Sequence, residues 1–108
     1  MKNNFLTFNT SDDIQVFTYS WMPDGGLPVK GVVQIAHGMA EHAARYERFA
    51  EALTTAGFAV FANDHRGHGK TAGAQEKVGY FADEDGWQKV VDDMHMLTGI
   101  IKKEFSNL

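Results

Sequence analysis

Two kinds of hydrophobic pattern alternate along this chain, and their order predicts its architecture. Residues 5–8 (Phe-Leu-Thr-Phe) and 14–22 (Ile-Gln-Val-Phe-Thr-Tyr-Ser-Trp-Met) are rich in β-branched and aromatic side chains, which suit a pleated, half-buried strand. Between them Asn9-Thr10-Ser11-Asp12-Asp13 is a cluster of turn formers, so the two runs predict an antiparallel hairpin. Pro23-Asp24-Gly25-Gly26-Leu27-Pro28 then breaks the pattern as a surface loop. Gly31-Val32-Val33-Gln34-Ile35-Ala36 is short and almost continuously apolar, which predicts a strand buried on both faces.

From about Ala43 the period lengthens. Tyr46, Phe49, Ala50 and Leu53 fall at i, i+3, i+4 and i+7, and Arg45, Glu47, Arg48 and Glu51 take the other positions, so a helix is predicted. Gly57 stands where a left-handed cap would close it, and Phe58-Ala59-Val60-Phe61-Ala62 reads as a second buried strand. A strand–helix–strand unit of this kind joins two parallel strands through a right-handed crossover. A glycine-rich stretch follows from Asp64 to Gly79. Asp83, Glu84 and Asp85 are acidic where a helix dipole favours them and predict the start of a last helix. Its apolar stripe is Trp87, Val90, Val91, Met94, Leu97, Ile101 and Phe105, with Lys102 and Lys103 in the last turn. With no repeat, low-complexity tract or linker, residues 1–108 read as one α/β unit.

Composition removes several classes of function. Ten Lys and Arg against 14 Asp and Glu give a net charge of −4, without the basic excess a general nucleic-acid binder needs. The absence of cysteine excludes disulfides and thiolate metal sites. No window approaches the ~18 consecutive apolar residues of a transmembrane segment, and Met1-Lys2-Asn3-Asn4 opens no signal peptide, so a cytoplasmic location is expected.

Candidate chemistry gathers in two loops at the C-terminal ends of the predicted parallel strands, the edge where open α/β sheets bind ligands. One is His37-Gly38-Met39-Ala40-Glu41-His42 and the other Asp64-His65-Arg66-Gly67-His68-Gly69-Lys70-Thr71; together they hold four of the five histidines. A metal site on His37, His42, Asp64, His65 and His68 lacks any HExxH or alternating HxHxDH spacing, and histidines that pack the loops are the plainer reading. Gly69-Lys70-Thr71 ends like a phosphate-binding loop, but Asp64 stands where that loop needs glycine and would repel the phosphate. A third reading is an oxyanion loop, in which Gly38 allows a tight turn and the Met39 N–H faces developing negative charge.

Taken together, HGMAEHAARYERFAEAL and GFAVFANDHRGHGKT resemble the monoacylglycerol lipase and lysophospholipase group of α/β-hydrolases, over most of the chain. Departures are mild: Ala40 replaces a frequent Gly, and Lys70-Thr71 a residue followed by Ser. The resemblance implies the N-terminal part of an α/β-hydrolase fold, a mixed sheet with helices on both faces. It implies that His37 and Gly38 shape the oxyanion loop, that the Met39 N–H is one donor, and that Glu41 and Arg45 hold the polar head of the substrate. A surface ion pair would explain Glu41 and Arg45 equally well. Asp64, His65, Arg66 and His68 are implied to brace the neighbouring loop, and no cofactor or metal is implied.

Such an enzyme also needs a nucleophile elbow, G-x-S-x-G, followed by an acid and a histidine. Ser11, Ser20 and Ser106 all lack that glycine context. The chain thus reads as truncated before its nucleophile, the N-terminal fragment of a serine ester hydrolase acting on a lipid ester and inactive by itself. Strand 58–62 is expected between the hairpin and strand 31–36, leaving 31–36 as an apolar edge through which the fragment self-associates. The alternative is a non-catalytic interaction or regulatory module built on the same half-fold.

Overall fold

The computed structural model describes residues 1–25, 28–38, 42–72, 82 and 84–106. Four strands form one mixed sheet: β1 (Lys2–Asn9), β2 (Gln15–Met22), β3 (Gly31–Ala36) and β4 (Phe58–Asn63), in the order β1-β2-β4-β3. β1 and β2 are the antiparallel hairpin, β2 pairs antiparallel with β4, and β3 pairs parallel with β4. The hairpin is longer than its hydrophobic core predicts, with polar Lys2-Asn3-Asn4 continuing the ladder opposite Ser20-Trp21-Met22.

A 3₁₀ turn at Ala43–Tyr46 leads into α1 (Glu47–Thr55). This helix packs on one face of the sheet, where Ala43 and Ala50 meet Trp21, Val60 and Ala62. Phe49, predicted on the buried stripe, is 54% exposed instead. The small side chains of Ala43 and Ala50 face the sheet, and Phe49, next to Ala50 in the chain, takes the solvent side of the helix. Gly57 does cap the helix, at φ +98°, and its N–H donates to the Thr54 carbonyl.

α2 (Gly69–Ala72) is a single helical turn inside the stretch read as loop, and α3 (Gly86–Glu104) is the long last helix. α3 covers the other face, where Leu97 and Ile101 meet Ala59 and Phe61 with Phe105 alongside. Two corrections apply to it. The predicted acidic opening lies before the helix: Asp85 is its N-cap, in the left-handed region at φ 52°, and Asp83 is outside the described residues. The buried face is also rotated from the predicted stripe: Trp87 is 73% exposed and Val91 is exposed, while Asp93 is buried with Val90, Leu97 and Ile101. Asp93 faces inward because a guanidinium awaits it there.

The two parallel strands differ in burial. Ala59 to Asn63 on β4 are all buried, whereas β3, predicted to be buried on both faces, is half-buried and ends on exposed Ala36. β4 has a strand on each side and β3 has one neighbour among the described residues, which accounts for the difference. None of the described helices is long and apolar enough to cross a membrane.

Candidate active-site edge

β3 and β4 run in register, with Ala36 opposite Asn63, so the segments leaving them start side by side. His37, Asp64, His65, Arg66 and His68 are all buried there. Each buried polar group needs a partner, and the partners define the site.

Asp64 ties two helix starts together. Its Oδ1 accepts the Ala43 N–H at 2.7 Å, and its Oδ2 accepts the Lys70 N–H at 3.0 Å. One carboxylate therefore satisfies orphan donors in the turn before α1 and in the first turn of α2. Gly69 makes this approach possible. Its φ is +49°, and a Cβ there would lie 2.5 Å from Asp64 Oδ2.

Arg66 ties three further elements. Nε donates to Asp93 Oδ2 at 2.6 Å and Nη2 to Asp93 Oδ1 at 3.1 Å. Nη1 donates to Asp12 Oδ2 at 2.6 Å and Nη2 to Asp12 Oδ1 at 2.7 Å. Two bidentate carboxylates on one guanidinium thus join the hairpin turn, the loop after β4 and α3. Hydrogen bonds from Arg66, and then from Thr10, hold the Asp12 carboxyl well below the usual carboxylate range. Burial pushes the Asp93 carboxyl up, against the pull of the same guanidinium. Asp12 and Asp93 were absent from the predicted site residues. A signal for Asp93 existed, since it sits at i+3 from Val90 and i−4 from Leu97, a charge on the buried face.

The histidines form a compact stack. Ring centroids are 4.1 Å apart for His37 and His65, and 5.1 Å for His37 and His68. The His65 backbone N–H donates to His37 Nε2 at 2.9 Å, so that nitrogen carries no proton. His37 is therefore protonated on Nδ1, which donates to the Gly38 carbonyl at 2.7 Å. His65 Nε2 donates in return to the His37 carbonyl at 3.1 Å. His65 Nδ1 has no partner among the described residues. Burial, reinforced by the neighbouring His37, pushes the His65 imidazole down to about 4, so it is neutral at pH 7. His68 donates from Nδ1 to the Arg66 carbonyl at 2.8 Å.

The phosphate-loop reading fails on the same geometry. The Lys70 N–H belongs to Asp64, and Lys70 Nζ lies 4.7 Å from the Phe17 ring centroid, over the hairpin aromatics. Thr71 Oγ1 accepts the Phe17 N–H at 2.9 Å, tying α2 to β2. No group of three His, Asp or Glu side chains among the described residues is placed to hold a metal ion.

Of the residues singled out in the sequence, His37, Asp64, His65, Arg66 and His68 converge. His42 and Arg45 are exposed, unlike these five. Met39 and Glu41 lie outside the described residues.

A family model described as serine aminopeptidase, S33, matches residues 28–108. A monoacylglycerol lipase of Mycolicibacterium smegmatis is 38% identical over 88 residues, covering 82% of this chain and 29% of that protein. The rat monoglyceride lipase is 30% identical over 95 residues, 88% of this chain and 29% of that protein. Among solved structures, a highly thermostable carboxyl esterase from Bacillus coagulans in complex with glycerol superposes with a TM-score of 0.87 at 31% identity. That match covers all of this chain and 34% of the esterase. The chain thus spans about a third of the length of these relatives.

Proposed function

The chain belongs to this family of α/β-hydrolases, and on that premise we propose that it is the N-terminal part of a serine carboxylic-ester hydrolase acting on a monoacylglycerol, lysophospholipid or similar lipid ester. The observation that carries the reading is the locked edge itself. The His37–Gly38 turn is held against Asp64–His65 at the C-terminal ends of two parallel strands, where an oxyanion loop is needed. In the proposed reaction a serine oxygen attacks the ester carbonyl and passes its proton to a histidine. The tetrahedral oxyanion is held by the Met39 N–H and a second amide. The alcohol leaves with that proton, and water then releases the fatty acid from the acyl-enzyme. The serine, the acid and the histidine come from chain beyond these 108 residues.

Glu41 and Arg45 hold the polar head of the ester in this reading. The Arg45→Met change raises KM for a monoacylglycerol while leaving that for a simple methyl ester almost untouched. A fluorophosphonate probe tests the whole proposal: it labels the full-length protein and leaves the 108-residue chain unlabelled. Labelling of the short chain, or none of the full-length protein, overturns it. By itself the short chain self-associates along the outer edge of β3, which has no strand beside it among the described residues, and a clean monomer in light scattering at micromolar concentration refutes that.

One match favours a second reading. Protein K6 of vaccinia virus is 37% identical over 57 residues, which make up 70% of that protein, so a chain of this region alone has a short relative. A non-catalytic interaction module is the corresponding function. A G-x-S-x-G motif downstream in the reading frame decides for the enzyme, and a stop codon there for the module.

A further inference from the structure

We infer that the outer edge of β1 is a self-recognition surface, on which a second copy of this chain adds its own β1 antiparallel about a two-fold axis at Phe5. The sheet order β1-β2-β4-β3 leaves two outer strands, and β1 is the one that the proposed reaction does not use. Edge strands are ordinarily blunted by charge, proline, a bulge or brevity. β1 has little of this protection. Lys2 is its only charged residue, it holds no proline, and all eight residues keep register with β2. All of them except Leu6 and Phe8 are exposed, so the strand is open on its outer side.

Geometry and charge both fit a second copy. Main-chain N–H and C=O groups of alternate residues point outward from an edge strand. Two identical strands therefore pair antiparallel only where residues an even number apart in the chain face each other. The longest such registers of β1 centre on Phe5 or on Leu6. Centring on Phe5 sets its ring, 64% exposed, against the partner's Phe5, with Lys2 opposite the partner's Phe8 and Asn3 opposite the partner's Thr7. Phe5 is also the outer end of an aromatic ladder. Ring centroids are 5.4 Å apart for Phe5 and Phe17, 5.1 Å for Phe17 and Tyr19, and 5.7 Å for Tyr19 and Trp21. Joined at Phe5, the ladders of the two copies become one, and the aromatic cross-strand pair adds to the main-chain bonds. Antiparallel pairing lays the start of each β1 beside the hairpin turn of the other. Basic Lys2 thus meets an acidic turn, with Asp13 exposed on it, twice by symmetry. A single strand pair covers less than the roughly 1,200 Å² of a standard interface, so the dimer is weak, with Kd on the order of 10 µM.

The chain contains no cysteine, so one introduced thiol reports the contact. Phe5→Cys places two thiols across the axis, within reach of a disulfide, and mild oxidation is expected to link the copies. Thr7→Cys lies on the same face but opposite the partner's Asn3, and is expected to link at least about tenfold more slowly. Copies joined through β3 would link at neither position, so the two edges are told apart. Adding Lys2→Glu to Phe5→Cys is expected to slow the linking about threefold, since a carboxylate then faces the partner's acidic turn. Hydrogen exchange gives a readout on the unaltered chain. Alternate β1 amides are expected to exchange more slowly as the concentration rises from about 1 to about 300 µM, across the expected Kd, and Phe5→Lys is expected to abolish that protection. Phe5 is exposed, and an unchanged circular dichroism spectrum shows that its variants fold. Should they not, the concentration dependence of exchange in the unaltered chain decides. No linking at residue 5, equal linking at residues 5 and 7, or β1 exchange that ignores concentration overturns the proposal.

Discussion

The loops that follow β3 and β4 leave the same sheet edge one strand apart, yet they are held in opposite ways. The loop after β4 reaches out in several directions. Asp64 takes N–H groups from the starts of two helical segments, Arg66 clasps the hairpin turn and α3, and Thr71 takes an N–H from β2. The loop after β3 leans on its neighbour, with His37 giving both its ring and its carbonyl to His65. The difference teaches where stability and function reside. The charged loop is a structural hub, and the loop beside it, proposed to face substrate, inherits its geometry from that hub.

This contrast can be broken most forcefully at the hub. The Arg66→Ala change leaves Asp12 and buried Asp93 without their shared cation, and a loss of about 3–5 kcal/mol is expected in urea unfolding. A loss under 1 kcal/mol would mean that the guanidinium is not the tie it looks to be. Gly69→Ala comes next, since its Cβ would sit against the Asp64 carboxylate in a left-handed backbone. About 3 kcal/mol is expected, read as a lower denaturant midpoint.

The histidine side gives a pH dependence with a definite sign. His65 titrates at about 4 when folded, below the ordinary value of 6.5, so the unfolded chain binds the extra proton first. The stabilisation is fully present above pH 6.5 and is lost as the pH falls from there through 4. About 3 kcal/mol is involved, and the slope should flatten in His65→Asn. An unchanged slope in that variant would place the acid sensitivity elsewhere. The smallest effect is expected at Thr71→Val, which removes an acceptor from the Phe17 N–H at nearly constant volume. About 1 kcal/mol is expected, with the Phe17 amide exchanging faster with solvent.

Much of the fold was legible along the chain because strand and crossover patterns are local. Phe17, Tyr19 and Trp21 alternate with polar residues, so the β2 strand was visible, and Gly57 marked the end of its helix. The helix faces were harder to read. Phe49, Trp87 and Val91 keep helical spacing with buried residues and still point outward, because rotation about a helix axis depends on what the helix meets. The site was legible as two clusters of unusual residues. Asp12 was not, since it looks like an ordinary turn former, and Asp93 was legible only through its spacing from Val90 and Leu97.

The sequence by itself determined the order of elements, the placing of both histidine-rich loops at strand ends, and the family likeness carried by their motifs. Tertiary structure alone decided which of those polar residues bond to which. It sent Asp64 to two helix starts, gave Arg66 carboxylates 54 residues before it and 27 after it, and set the proton of His37 on Nδ1 through its bond to His65. The physical reason is separation. A hydrophobic period is repeated among neighbours in the chain, whereas a buried charge or tautomer is fixed by whichever group the fold brings within about 3 Å.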